Sequence, residues 1–398
     1  MMIPFNIPAC IGTEMGFIED AVKHCSLSGD GPYTHKCNEI IESFTQSSKA
    51  LLTTSCTHAL EIAALLAEIG PGDEVIMPSY TFVSTANPFV LRGATIRFVD
   101  VDPLTMNIDV NEIEKAITGK TRAIVPIHYA GVPSDMDRII ELARAFKVIV
   151  ITDAAQGVMS WYKDRALGSI GDIGAFSFHE TKNLHCGEGG ALLINNSSYL
   201  DRAEVIREKG TNRRSYLLGQ VDKYSWVDLG SSYLPSELNS AFLYGQLLSR
   251  DAIFEKRMKL WHFYQLQLKD LADQGKIELP YIPSYARHNA HMYYIKVRDL
   301  QERTRLIAYA KTRNVCLVFH YVPLHSSKAG QKFGTFVGED RYTTRDSERL
   351  LRLPMYYSLS PAEQEQVVDV IYGYFKSCLM VNVDGSMGPS KVISLTKL

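Results

Sequence analysis

Tryptophan is scarce, with 3 in 398 residues, and long apolar runs are missing. No stretch approaches the roughly 20 apolar residues that a membrane-spanning helix needs. The opening residues, MMIPFNIPAC, carry no basic region followed by an apolar run, so no signal peptide is expected and a cytoplasmic protein is. The 7 cysteines (Cys10, Cys25, Cys37, Cys56, Cys186, Cys316 and Cys378) are odd in number and scattered, with no CxxC pair. That pattern argues against a disulfide framework and a cysteine metal site, and fits free thiols in a reducing compartment. Neither sign of charge dominates: 42 Lys and Arg against 44 Asp and Glu leave a net charge of −2. That balance argues against a general nucleic-acid or membrane-surface partner, and an anionic ligand would have to meet a local basic cluster. There is no internal repeat and no low-complexity tract.

What is present is an ordinary globular composition, 46% hydrophobic and 22% charged, in a chain long enough for two or three packed units. Short apolar runs at 50–53, 74–77, 95–99, 123–127, 148–152 and 174–178 read as strands. Helical periodicity is visible from Thr34, a candidate cap, to Phe44, and at 59–69, 113–117, 135–145 and 199–208. This alternation implies an α/β fold with a mostly parallel central sheet flanked by helices. The long helical stretch 237–268 reads as a bridge to a smaller α/β unit with strands at 290–297 and 315–321 and a helix at 302–312. The expected organisation is an arm and helix over 1–47, a large domain over 48–250, a small domain over 251–378, and a mobile polar tail over 379–398.

The informative stretch runs from Asp153 to Gly190. Asp153 ends the β-branched run Val148–Thr152, where ligands of open α/β sheets bind. Lys182 follows a second strand and precedes the turn Gly187-Glu188-Gly189-Gly190. An acid at one strand end and a lysine near another suit pyridoxal phosphate (PLP): the amine forms a Schiff base with the aldehyde, and the carboxylate keeps the pyridine nitrogen protonated. Taken alone, the pair also fits a surface lysine and a helix cap. The strand at 50–53 feeds a helix at Ser55-Cys56-Thr57-His58, and free N–H groups at a helix start favour an anion. Arg207, Lys209, Arg213 and Arg214 crowd one segment, which reads either as a solvated surface or as a pyrophosphate clamp.

Asp153-Ala154-Ala155-Gln156, Ser177-Phe178-His179-Glu180-Thr181-Lys182-Asn183 and the glycine turn together resemble the DegT/DnrJ/EryC1/StrS family of nucleotide-sugar aminotransferases, which have the type I, aspartate-aminotransferase-like PLP fold. The similarity extends over roughly Ile3 to Phe375. Residues 77–87 (MPSYTFVSTAN), 207–213 (REKGTNR) and 219–224 (GQVDKY) are most similar to the branch that makes dTDP-4-amino-4,6-dideoxygalactose for enterobacterial common antigen. The resemblance implies Lys182 as Schiff base and proton shuttle and Asp153 as partner of the ring nitrogen. It places Gln156 on the ring-hydroxyl side, Phe82 on the ring face, and Thr57, His58 and Ser177 at the cofactor phosphate. Ser232 stands where relatives carry an Asn that reaches the partner subunit's phosphate, and Leu234 stands where they carry Arg. Cys56 replaces a common Gly. His320, Tyr321 and His325 match a substrate-side motif, and without nearby acids they do not suggest a metal.

By the same resemblance the donor is L-glutamate, the acceptor dTDP-4-keto-6-deoxyglucose, the kinetics ping-pong, and the assembly a homodimer with sites at its interface. The C4-epimeric 4-amino-4,6-dideoxyglucose product stays open. A non-catalytic PLP-binding regulator would need a DNA-binding module, and neither end shows one.

Overall fold

The structure, a computed structural model, describes residues 2–25 and 27–383, with side chains through residue 377. Eight strands form the central sheet, in the spatial order Lys49–Thr53, Gly190–Ile194, Ile173–Ser177, Ile149–Asp153, Thr121–Ile124, Glu74–Pro78, Thr95–Val99 and Gly334–Phe336. The six from Ile173–Ser177 onward run parallel to one another. Gly190–Ile194 is antiparallel to both of its neighbours. The parallel strands are nearly continuous apolar runs because helices cover both faces. Ile76, Ile124 and Val150 pack on one face, and Val75, Ala123 and Ile151 on the other.

The Gly190–Ile194 strand packs closely because its first residue has no side chain. A Cβ on Gly190 would stand 2.4 Å from the Cys56 nitrogen. The start of the helix Cys56–Leu66 is thereby brought down onto the sheet. Ser55 caps that helix by accepting from the His58 N–H at 3.1 Å. Asp135 caps Met136–Phe146 in the same way.

The helix expected from Thr34 is Pro32–Thr45, and Thr34 is inside it, not at its cap. The cap comes from far away: the Glu237 carboxylate accepts from the backbone N–H groups of Gly31 (3.2 Å), Tyr33 (2.6 Å) and Thr34 (3.0 Å) and from the Thr34 hydroxyl. A carboxylate there satisfies the free N–H groups and opposes the positive end of the helix dipole. Glu237 opens the helix Glu237–Leu248, so one side chain joins the Pro32–Thr45 helix to a helix far along the chain.

The helical stretch expected over 237–268 breaks at Ser249 into Glu237–Leu248 and Arg250–Gln267. Beyond it, Tyr293–Lys296, Leu350–Leu353 and Val318–Phe319 form a three-stranded antiparallel sheet with its own core around Trp261, Tyr264, Leu306 and Ile371. The strand Gly334–Phe336, from this C-terminal region, returns to the edge of the central sheet. Between the two sheets sits a cluster of Tyr80, Tyr129, Met292, Tyr294 and Leu350. The final helix, Pro361–Val383, runs past residue 378, and the rest of the expected tail, 384–398, lies outside the described residues. Among the described residues no helix is long and apolar enough to cross a membrane.

Candidate active site

A cavity of about 840 Å³ opens at the carboxyl ends of the parallel strands, between the central sheet and the small sheet. Asp153, Gln156, Ser177, Lys182, Thr57, Phe82, His320 and Tyr321 all line it.

Asp153 is buried at the end of its strand. One carboxylate oxygen accepts from the Thr85 hydroxyl at 2.7 Å and the other from the Ala155 N–H at 3.0 Å. Burial nevertheless raises its pKa, against the opposing pull of these two bonds and of Lys182. The carboxylate therefore lacks a full countercharge within the chain, and a protonated ring nitrogen would supply one.

Lys182 sits on a loop closed by paired backbone bonds, Phe178 N–H to Gly189 O at 2.8 Å and Cys186 N–H to Phe178 O at 2.9 Å. Its neighbour Asn183 donates to the Asn289 carbonyl at 2.8 Å and bonds the His291 ring at 3.0 Å, which pins the loop to the C-terminal region. Desolvation by burial lowers the Lys182 pKa, with a further push from the Arg352 charge and opposition from Cys56 and Asp153. A lowered pKa gives the neutral amine needed for attack on an aldehyde and for proton transfer.

Gln156 is held at both ends. Its carbonyl accepts from the Ala130 N–H at 2.6 Å, and its amide donates to the Tyr321 hydroxyl at 3.0 Å. The Tyr321 ring stacks on His320 at 3.6 Å, and His320 bonds the Tyr129 hydroxyl at 2.7 Å. Phe82 is 55% exposed and lies 6.1 Å from Tyr321, so its ring face is open to the cavity. At the other end Ser55, Cys56 and Thr57 start their helix against the cavity, with Ser177 nearby. The Ser55 side chain and carbonyl serve His58 and Ala59, which leaves the earlier N–H groups for an anion. The residues fit PLP: an anion cradle at a helix start, an under-neutralised acid, a desolvated lysine and an exposed aromatic face within one cavity.

Seven of the expected site residues lie elsewhere in this chain. The His58 ring packs edge-on to Tyr233 at 5.2 Å and bonds the Thr54 hydroxyl. His325 bonds the Ser79 hydroxyl at 2.7 Å and lies 3.2 Å from Asp340. Arg207 is buried and paired with Asp30 at 2.7 Å and Glu204 at 3.2 Å, so its guanidinium ties the segment to the N-terminal turn. Lys209 and Arg213 pair with Glu208, and Arg214 with Glu204. Each basic side chain of this segment is thus paired with an acid, Glu204 and Glu208 each serving two of them, and none of the four lines the chain's own cavity. Ser232 is exposed and bridged to Glu208, so any cofactor contact it makes would be in a second copy.

Other lining residues carry no expectation. Thr85, within the quoted MPSYTFVSTAN segment, sets the Asp153 carboxylate. Arg257, His291 and Arg352 come from the C-terminal region, and Phe5 and Asn6 from the N-terminal segment. No local pattern marks them, because each reaches the cavity only through tertiary packing.

The sequence profile of the DegT/DnrJ/EryC1/StrS aminotransferase family matches residues 11–372. The spore coat polysaccharide biosynthesis protein SpsC of Bacillus subtilis is 32% identical over 384 residues, covering 93% of this chain and 96% of that protein. The aminotransferase TlmJ from Streptoalloteichus hindustanus superposes with a TM-score of 0.87 at 26% identity, covering 95% of this chain and all of that one (100%). A DegT DnrJ EryC1 StrS aminotransferase from Brucella abortus gives a TM-score of 0.83 at 27% identity, covering 91% of this chain and 95% of that one.

Proposed function

The chain belongs to the DegT/DnrJ/EryC1/StrS aminotransferase family, and from that premise we propose that it transfers an amino group from L-glutamate to C4 of dTDP-4-keto-6-deoxyglucose. The products are dTDP-4-amino-4,6-dideoxygalactose and 2-oxoglutarate. At the coarser level it is a PLP-dependent sugar aminotransferase. The observation that carries the reading is the placement of Asp153 and Lys182 in one cavity with opposite pKa displacements, the acid up and the amine down.

Bound there, PLP supplies an aldehyde and an electron-withdrawing ring. The residues supply the rest. Thr57, Ser177 and the free N–H groups at the helix start hold the phosphate. Phe82 would offer its exposed face to the ring, and such stacking adds about 0.5–1.5 kcal/mol beyond burial. Asp153 keeps the ring nitrogen protonated, and Gln156, fixed by Ala130 and Tyr321, orients the hydroxyl side. The Lys182 amine takes the proton from the donor's α-carbon in the first half-reaction and delivers one to the sugar C4 in the second. One amino acid and one keto sugar go in, and one oxo acid and one amino sugar come out.

The reading includes a cytoplasmic homodimer with sites at the interface. The dimer is supported by the exposed apolar segment holding Trp226 (79% exposed) and Leu217 (65%), next to Ser232. Product identification by NMR after incubation with glutamate and several keto-sugar nucleotides tests the substrate and the C4 configuration together. Borohydride reduction of the PLP-loaded protein, then peptide mapping, should tag Lys182. A tag elsewhere would sink the reading.

A further inference from the structure

The N-terminal segment crosses the cavity as a strap tied at both ends. At one end Ile3 is buried in the core of the C-terminal region and pairs with the chain at Val315. Its N–H donates to the Asn314 carbonyl at 2.8 Å, and its carbonyl accepts from the Cys316 N–H at 3.0 Å. At the other end the Ala9 carbonyl accepts from His185 Nε2 and from the Gln246 amide, each at 2.7 Å. His185 belongs to the Lys182 loop. The buried Glu14 carboxylate then accepts from the Ile11 and Gly12 N–H groups, at 2.8 and 2.7 Å. Pro4 and Pro8 stand beside the two ties and restrict the backbone there. Between the ties, Phe5 and Asn6 line the cavity. Phe5 lies 4.5 Å from the Arg352 guanidinium. Asn6 is partly shielded from solvent, and its side chain has no hydrogen-bond partner among the described residues. The other carboxamide of the cavity, Gln156, is bonded at both ends.

We propose that Asn6 is a specificity-determining residue that reads a ring hydroxyl of the keto sugar. The inference rests on the sugar-aminotransferase reading and names the part of the chain that selects the second substrate. The chemistry of the group favours this ligand. A carboxamide carries two N–H donors and a carbonyl acceptor and no charge. A phosphate or a carboxylate is better met by a cation or a helix start, and the cavity has the start of the Cys56 helix on its central-sheet wall. A donor and an acceptor side by side match a hydroxyl, which is itself both. The strap is fixed at Ile3 and Ala9 before any ligand arrives, so binding does not have to order its backbone. A group placed to bond a hydroxyl discriminates against a ligand that lacks it, because the group is then left unpaired.

The ping-pong sequence allows the two substrates to be tested apart. Loss of the PLP absorbance of the loaded protein reads the glutamate half-reaction. Its return on adding dTDP-4-keto-6-deoxyglucose reads the sugar half-reaction. Asn6→Leu, similar in size, should raise the half-saturating sugar concentration by about tenfold or more and leave the glutamate half-reaction within about twofold of wild type. Asn6→Asp, which keeps an acceptor and loses the donors, should lose sugar affinity while its melting temperature stays that of wild type. Wild type should also prefer the parent sugar over its 2-deoxy or its 3-deoxy analogue, and Asn6→Leu should lose that preference for the hydroxyl that Asn6 reads. A sugar response of Asn6→Leu within about threefold of wild type, or an equal loss in both half-reactions, overturns the proposal and leaves the sugar-aminotransferase reading standing. Wild-type protein that completes the glutamate half-reaction but does not regain its PLP absorbance with any keto-sugar nucleotide sinks that reading and this inference together.

Discussion

The cavity has two walls built in different ways. The first is the end of the central sheet, where Asp153, Ser177 and the start of the Cys56 helix are fixed by strand pairing and by close glycine contacts. Both oxygens of Asp153 have donors from the chain. The second wall is the small sheet and the loops around it, carrying Arg257, His291, His320, Tyr321 and Arg352. It holds cationic charge with no acid partner and buried histidines kept neutral by desolvation. The first wall pairs an under-neutralised acid with free helix-start N–H groups on a rigid frame, which suits a resident group, and the second offers a cation without an acid, which suits a ligand that comes and goes. Direct bonds join them, Gln156 to Tyr321, Asn183 to Asn289 and His291, and Tyr129 to His320, and these set their spacing.

The hardest blow to the first wall is Lys182→Ala. Turnover should fall by at least about 10⁴-fold, since both the covalent attachment and the proton carrier are lost. The melting temperature should barely move, because the loop is held by backbone bonds and by Asn183. Sustained turnover by this variant, measured by product formation, would end the assignment of the wall. Asp153→Asn is the next step down. It keeps the Thr85 contact geometry but removes the charge, and kcat should drop at least about 100-fold, the equivalent of some 2.7 kcal/mol in the transition state. PLP should still bind by absorbance. A near-wild-type kcat would mean that the ring nitrogen needs no carboxylate.

A third variant tests whether the basic segment belongs to either wall. Arg207→Met removes the partner of Asp30 and Glu204, leaving two acids without their buried cation. Stability should fall by about 3 kcal/mol in a denaturant titration, with KM for the sugar nucleotide unchanged at temperatures where the protein is folded. The Arg207 charge helps to hold the Asp30 carboxyl below its ordinary pKa, so this contribution is present above the unfolded aspartate pKa and is lost as pH falls. A raised KM with an unchanged melting curve would restore the clamp and extend the site beyond the two walls.

The first wall was readable because its chemistry is local. Asp153 ends a β-branched run, Lys182 and Ser177 share one short motif with the glycine turn, and a strand feeding a helix announces an anion cradle. The parallel sheet was readable for the same reason, through runs that alternate with helical spacing. What escaped depends on residues far apart in the chain. Glu237 caps a helix that begins at Pro32, so Thr34 looked like a cap when it is a recipient. Arg352 lies in a strand whose neighbours are ordinary leucines, and nothing in the local pattern distinguishes it from a solvated edge residue. The basic cluster at 207–214 stays open to two readings in the sequence: Glu204 and Glu208 lie beside it in the chain, but Asp30 meets Arg207 only through the fold.

The gentlest probe of the first wall is a proton. His128 lies directly behind Asp153, with its backbone N–H 3.4 Å from the Asp153 carbonyl. Its Nδ1 accepts from the Ser134 N–H at 3.2 Å, which puts the ring proton on Nε2, and Nε2 is buried without a partner. Burial lowers its pKa to about 3. The unfolded chain takes up a proton near the ordinary histidine value of about 6.5, which the folded chain refuses until near pH 3. Stability should therefore be undiminished by this group above the unfolded pKa and fall as pH drops below it, by about 1.4 kcal/mol per pH unit for one histidine. His288, lowered to about 4 by burial, acts in the same direction. His128→Asn keeps an acceptor for Ser134 and removes the titration, so its stability between pH 6 and pH 4 (about two units) should fall less steeply than wild type by one proton's worth. Denaturant titrations at fixed pH read that slope independently of any absolute loss. Parallel slopes for the two proteins would mean that water reaches the back of the Asp153 strand, and the contrast between a sealed wall and an open one would fail there.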